Sequence, residues 1–356
     1  MSSFDFDTEI AAHLDVVRSL QKSSGVFTAS AHTVATGYDK AWLRDIYFMT
    51  LGFLETDELP VVQKAAKALL VMFVKHKDKI NWAIQNKPHE TWQYIHARFN
   101  PETFEEYWEE WGNSQNDAVG EVLNLIVELE LRGASIIETD EEREMVQKII
   151  DYLIALEYWH DTDNGIWEEN MEVHASSVGS CVAALKKASK LSWLKVPADA
   201  ISLGESALRK LLPRESAAKF TDLALLSLIY PFAVTTEAET VEILKNVEYH
   251  LTRDRGVIRY KLDRYYNNNE DGYSEEAEWC FGLSWLAIIY AERGDRDKAY
   301  YYLRQAAKTV TQTGLVPELY YSHTEKPNEN TPLGWSESMY VVALKKVKDL
   351  GELKQV

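Results

Sequence analysis

Apolar residues recur every three to four positions along most of the chain, the spacing of helices buried on one face, and no segment alternates convincingly as a strand would. Ile10, Leu14, Val17 and Leu20 share one face of a helix predicted over Phe6 to Gln21. A second is predicted from Arg44 to Leu54. A third carries Pro60 in its first turn, where the missing N–H costs nothing, and runs through Val61 to His76. An aromatic-rich connector, Asn81 to Trp111, leads to a fourth over Asp117 to Arg132, which stops at Gly133. Thr139 and Glu142 form a capping box for the fifth, which carries Met145, Ile149, Leu153 and Leu156. The sixth shows Val178, Cys181, Val182 and Leu185. Helices seven to nine are predicted over Pro197 to Leu212, Thr221 to Tyr230 and Thr236 to Leu251, the last opened by a second capping box, Thr236 with Glu239. Glu276 to Arg293, Asp295 to Thr311 and Trp335 to Lys348 complete the series.

No Pro/Gly/Ser-rich linker interrupts this series, so residues 1–356 are expected to close into a single domain. No fixed sequence period points to a solenoid. Twelve helices in antiparallel pairs predict an all-α fold, an (α/α)6 toroid with six inner helices surrounded by six outer ones. Its longer connectors would collect at one end and line a central funnel. The odd-to-even connectors bear this out in composition: Thr36 to Asp45, Trp108 to Ala118, Asp163 to Asn170, Gly256 to Gly282 and Thr313 to Ser336 hold the unusual Trp, Tyr and ionisable residues. The even-to-odd turns are short and plain.

Composition narrows the partners. With no apolar run long enough to span a bilayer and no basic-then-apolar leader pattern, a soluble, cytoplasmic protein is expected. Cys181 and Cys280 sit in apolar helical patterns without metal-ligand spacing, as buried thiols do. A formal charge of −18 repels phosphate backbones and anionic lipid, which argues against nucleic acid and membrane partners. Aromatics at 12% of the chain, with 11 Trp and 19 Tyr, offer flat faces suited to sugar rings as well as to core filling.

The connector motifs "AWLRD", "WGNSQNDA", "GIWEE", "IRY" and "VPELYY" followed by "PLGWS" resemble, in order, the motif set of the family 15 glycoside hydrolases: glucoamylases, glucodextranases and trehalases. The resemblance spans Trp42 to Ser336 and implies an (α/α)6 barrel that hydrolyses terminal α-glucosidic bonds with inversion. Such hydrolysis needs one carboxylic acid to protonate the leaving oxygen and one carboxylate to activate water, roughly 6.5–9.5 Å apart. Adjacent residues of an extended loop point opposite ways, so Glu168 and Glu169 cannot straddle one bond, and the partner must come from another connector. By resemblance Glu168 matches the general acid, Glu318 the general base, and Glu169 a carboxylate that binds substrate hydroxyls. Trp167 beside the acid would favour its protonated form by desolvation. Tyr38 matches a tyrosine near the base, Arg44 and Asp45 the pair that holds the terminal glucose, and Arg259 another substrate-binding arginine. Trp111 and Trp279 would be stacking or wall residues, and Trp42 and Trp167 are expected among the substrate-binding residues. No cofactor or metal is implied.

Blander readings stand beside these. Glu168 and Glu169 could be a solvated loop pair, Arg44 and Asp45 a structural ion pair at a helix start, and Glu318 a surface residue. Asn116 and Asp117 could simply cap a helix. His174 reads as structural, and Asn269 to Glu278 as a solvated acidic loop. The chain also departs from the family pattern: with the first helix predicted from Phe6, the N-terminal β-sandwich of many members is not expected, and "VPEL" stands where "PEQ" is frequent. The leading expectation is an inverting exo-α-glucosidase acting on an α-linked glucose oligosaccharide. The alternatives are a non-catalytic carbohydrate-binding or regulatory toroid, since the phosphorylase kinase α and β subunits resemble the same family, and a trehalase.

Overall fold

The computed structural model describes residues 5–31, 37–109 and 111–351. Among them twelve α-helices appear in chain order: α1 Phe6–Ser19, α2 Leu43–Glu55, α3 Leu59–Lys75, α4 Lys77–Asn86, α5 Asn116–Leu131, α6 Asp140–Leu156, α7 Ala175–Ala188, α8 Ala198–Leu211, α9 Glu237–His250, α10 Cys280–Glu292, α11 Arg296–Ala307 and α12 Gly334–Asp349. The total matches the expected twelve, but the membership differs. The stretch Thr221 to Tyr230 forms only a 3-10 run, Leu223–Leu228, and α4 lies partly within the stretch read as a connector. All six residues of Leu223–Leu228 are buried, so they lack the one-sided pattern that marks a surface helix, and Pro231 follows closely. Helix α4 buries only Ile80 and Ala83 and packs on α6, a stripe too thin to announce itself in the sequence.

Helices α2, α5, α7, the 3-10 run, α10 and α12 contact one another in turn, and α12 returns to α2, closing the inner ring. Their sequences explain the placement. Every residue of α10 but the last is buried, as in an apolar-all-round helix, and α2, α5, α7 and α12 are buried over most of their length although they carry polar groups such as Asp117, Glu121 and Glu337. The outer helices are amphipathic: α1 leans on α12, α11 on α10 and α12, α3 on α2 and α5, α6 on α5, α8 on α7, and α9 on the 3-10 run. Both expected capping boxes form, Thr139 with Glu142 and Thr236 with Glu239. The start of α5 is capped differently from expectation. Asp163, from the next connector, accepts the Asn116 N–H at 2.9 Å, while Asn116 and Asp117 lie inside the helix.

Two short antiparallel ladders, not expected from the sequence, sit just before inner helices. Ala41 and Trp42 pair with Phe99 and Arg98 at the start of α2, and Glu278 and Trp279 pair with Tyr320 and Leu319 at the start of α10. Two-residue strands are too brief for a periodic signal. Glu278 also departs from the solvated-loop reading, because its buried carboxylate accepts the backbone N–H of Arg255 at 2.7 Å and of His323 at 3.0 Å. Both cysteines are buried free thiols. At the opposite end of the ring a cavity of about 160 Å³ lies between Tyr47, Asn124, Lys187 and the Tyr230–Pro231 turn. No described helix is long and apolar enough to cross a membrane.

Gly120 lets two inner helices approach closely: a Cβ there would stand 2.6 Å from Ser180 Oγ and 3.0 Å from the Cys181 backbone nitrogen. Replacing Gly120 by Ala improves helix propensity by up to about 1 kcal/mol, but overpacking against backbone costs about 1–3 kcal/mol. The Gly120→Ala variant is therefore expected to unfold at lower urea concentration with an unchanged denaturant slope.

Candidate active site

The connectors that enter α2, α5, α7, α10 and α12 meet at one end of the ring. There a cavity of about 1090 Å³ is lined by Tyr38, Trp42, Arg44, Asp45, Trp111, Trp167, Glu168, Glu169, Arg259, Trp279 and Glu318, all the site residues expected from the sequence. The inner helices point their N-termini toward this end, so their unpaired N–H groups and dipoles favour negative charge there.

Glu168 and Glu169 take separate partners, but their loop is a turn and not the extended segment expected. Glu168 takes a left-handed backbone, φ 60°, directly after a tight turn in which Gly165 has φ 61°. Its N–H is held by the Gly165 carbonyl at 3.0 Å, and the next N–H by the Asn164 carbonyl at 2.9 Å. The Glu168 carboxylate accepts from Arg44 Nη2 at 3.0 Å and from Trp111 Nε1 at 2.6 Å. Trp167 shares the cavity, but its indole N–H goes to Asp222 at 2.7 Å, and its ring joins an aromatic wall with Trp279, Phe281 and Trp335. The surroundings of Glu168 are thus donors, a guanidinium and an indole N–H, more than the apolar face expected from Trp167.

Glu169 accepts from Arg259 Nη2 at 3.1 Å, Tyr260 Oη at 2.6 Å and Lys219 Nζ at 2.5 Å. Burial opposes its charge, but Arg259 and Lys219 outweigh it and hold this carboxyl below the usual range. Arg259 is itself fixed by a two-pronged pair with Asp263, at 2.6 and 2.7 Å. Arg44 also bonds Gln115 at 3.2 Å and lies 3.7 Å from Asp45. Burial pushes the Asp45 carboxyl up to about 7 against the pull of Arg44.

Glu318 is 1% exposed, which excludes the surface reading. One oxygen accepts from Tyr38 Oη at 2.5 Å, the other from Asn328 Nδ2 at 2.5 Å and Asn330 Nδ2 at 2.7 Å. Burial pushes its carboxyl above the usual range, and the bonds from Asn330, Tyr38 and Asn328 only partly offset this. Tyr38 is steadied by Tyr265, hydroxyl to hydroxyl at 3.2 Å.

Several of these residues were not singled out in the sequence. Asp263 had a signal, its four-residue spacing from Arg259; Asn328, Asn330 and Lys219 had none. The connector between α8 and the 3-10 run braces the Glu168 loop from behind. Ser216 bonds Glu172, Lys219 bonds Glu169, Asp222 bonds Trp167, and Glu215 takes the Ser176 hydroxyl at 2.5 Å. His174 lies 3.5 Å from Glu215, and its charged form persists up to about 10 because Glu215 and Asp163 outweigh its burial. It is a structural histidine, as expected.

Comparison with known proteins agrees with this architecture. A glycosidase superposes with a TM-score of 0.81 at 19% identity, covering 96% of this chain and 97% of that one. A glycosidase variant in complex with glucose gives a TM-score of 0.82 at the same identity. A bacterial glucoamylase complexed with acarbose gives 0.75 at 15% identity, over 97% of this chain and 56% of that one. Among curated proteins, the skeletal-muscle isoform of the phosphorylase b kinase regulatory subunit alpha of Oryctolagus cuniculus is 27% identical over 334 residues, 79% of this chain and 27% of its own length. The probable regulatory subunit beta of Drosophila melanogaster is 25% identical over 323 residues, 79% of this chain and 29% of its own length. The chain thus spans less than a third of these curated relatives. The family model for glycosyl hydrolases family 15 matches residues 13–200, and the chain belongs to that family.

Proposed function

We propose that the protein is an inverting, exo-acting α-glucosidase of glucoamylase type, which hydrolyses terminal α-glucosidic bonds of short α-glucans or isomalto-oligosaccharides and releases β-glucose. The observation that carries this reading is that Glu168 and Glu318, 150 residues apart in sequence, line one cavity together with hydroxyl-binding charges and aromatic walls. Glu168 is the general acid. Each of its oxygens accepts one bond and keeps a second lone pair, so the carboxyl can carry a proton to the leaving oxygen while Trp111 and Arg44 hold its direction. Glu318 is the general base. Burial makes it more basic than an exposed glutamate, which suits proton abstraction from water near neutral pH. Its bonds from Tyr38, Asn328 and Asn330 fix the carboxylate before the water arrives.

Arg44 and Asp45 hold the terminal sugar by its hydroxyls, and Glu169 with Arg259 holds hydroxyls on the opposite side. Trp42, Trp111, Trp167 and Trp279 supply walls that exclude water and pack on sugar faces. Neither carboxyl role needs a metal.

A second reading is favoured by the phosphorylase kinase subunits among the similar sequences: a toroid that binds carbohydrate without cleaving it. One experiment separates the two. The protein is incubated with maltose, isomaltose, trehalose and longer glucans while the anomeric protons are followed by NMR. Appearance of β-glucose supports the hydrolase and identifies the substrate; saturable binding without release of sugar from any of them supports the regulatory reading.

For the hydrolase, Glu168→Gln and Glu318→Gln are each expected to lower kcat at least ~10²-fold, the contribution of general acid or base catalysis; a variant that keeps wild-type turnover sinks the assignment of its residue. Lys219 pairs with Glu169 and touches neither Glu168 nor Glu318, so Lys219→Met is expected to raise KM several-fold with a smaller change in kcat, read from initial rates.

A further inference from the structure

Arg98 has no part in the reading above, yet it occupies a singular position. It is 3% exposed, set opposite Trp42 by the ladder that opens α2, and lines the cavity. Its guanidinium carbon lies 3.8 Å from the centroid of the Trp111 ring and 5.8 Å from those of Trp42 and Tyr107. One nitrogen pairs with Glu109 at 2.7 Å, which fixes the plane of the guanidinium, while its Nε has no hydrogen-bond partner among the described residues. The indole it covers is the one whose N–H bonds Glu168 at 2.6 Å.

Building on the hydrolase reading, we propose that Arg98 is a positioning residue for the proton donor: stacked on Trp111, it fixes the indole plane and strengthens the N–H bond that aims the Glu168 carboxyl. The physics is direct. A cation over an aromatic face draws on the negative π cloud, so the positive ring edge, where the indole N–H lies, becomes a better donor. A better donor to a carboxylate favours its charged form and narrows its orientation. Glu168 is thereby gripped from two sides, by Arg44 directly and by Arg98 through the indole.

The test uses Arg98→Gln and Arg98→Lys in the full chain, both checked for a wild-type far-UV spectrum. Substrates are a maltooligosaccharide, whose leaving oxygen needs a proton, and α-glucosyl fluoride, whose leaving group needs far less help. Arg98→Gln is expected to lose tenfold or more in kcat on the oligosaccharide and less than threefold on the fluoride. The high-pH limb of its kcat/KM profile is expected to move to higher pH, and Arg98→Lys to recover part of the loss. Equal losses on both substrates with an unmoved pH profile would reduce Arg98 to a structural residue and overturn the proposal.

The indole N–H resonance of Trp111, followed by NMR against pH, gives a readout that does not need turnover. It is expected to titrate in the wild type, not in Glu168→Gln, and at a higher midpoint in Arg98→Gln; an unchanged midpoint overturns the proposal. A wild type that cleaves neither substrate refutes the hydrolase reading alone, and the NMR titration then judges Arg98 by itself.

Discussion

A carboxylate taken out of water keeps its charge only where protein donors replace the water it loses. Around this funnel Asn328 and Asn330 serve Glu318 from its own connector, and the other donors come from elsewhere in the chain. Tyr38 reaches Glu318 across 280 residues of sequence, Arg44 reaches Glu168 across 124, and Arg259 reaches Glu169 across 90. Each pair ties one entrance of the ring to another. The pocket therefore holds together as a set, because withdrawing one donor leaves a buried acid short of a partner, which costs more than the bond itself.

The inner ring makes that set possible. Helices buried on every side give rigid, evenly directed bases, and a single close approach such as Gly120 against Ser180 shows how little slack separates them. Most of the chemistry sits on the connectors, with Arg44 and Asp45 in the first turn of α2, while the directions of those connectors are set by the helices. The aromatic wall joins the two layers: Trp335, at the start of α12, stacks on Phe281 of α10 at 4.4 Å and on Phe48 of α2 at 4.3 Å, and also lines the cavity.

What could be read from the sequence follows from the same division. Inner and outer helices carry periodic patterns or caps over several turns, and the Thr139 and Thr236 boxes sat where expected. The residues that converge on the cavity were legible because unusual types gathered at matching helix ends. Legibility failed where no local rule applies. The run Leu223–Leu228 is buried on all sides and gives no period, and α4 is polar on most of its surface. Asn328 and Asn330 look like ordinary loop amides until the fold turns both toward Glu318. Lys219 acts from a connector that never lines the cavity, and the cap of α5 comes from Asp163, 47 residues downstream of the N–H it accepts. Pairings that cross the ring are properties of the closed structure, with no trace in neighbouring residues.

The sixth place in the ring is filled by six residues in place of a full helix, and the chain turns away at Tyr230 and Pro231 beside the small far-end cavity. The barrel is in this respect lopsided, with a wide cavity where sugar would enter and a small one at the other mouth. Larger apolar side chains introduced around Leu51 or Leu125, both on that far wall, could tighten the scaffold without disturbing any group that faces the funnel. That mouth stands a helix length away from the carboxylates, so packing there can change while the sugar-facing end keeps its groups.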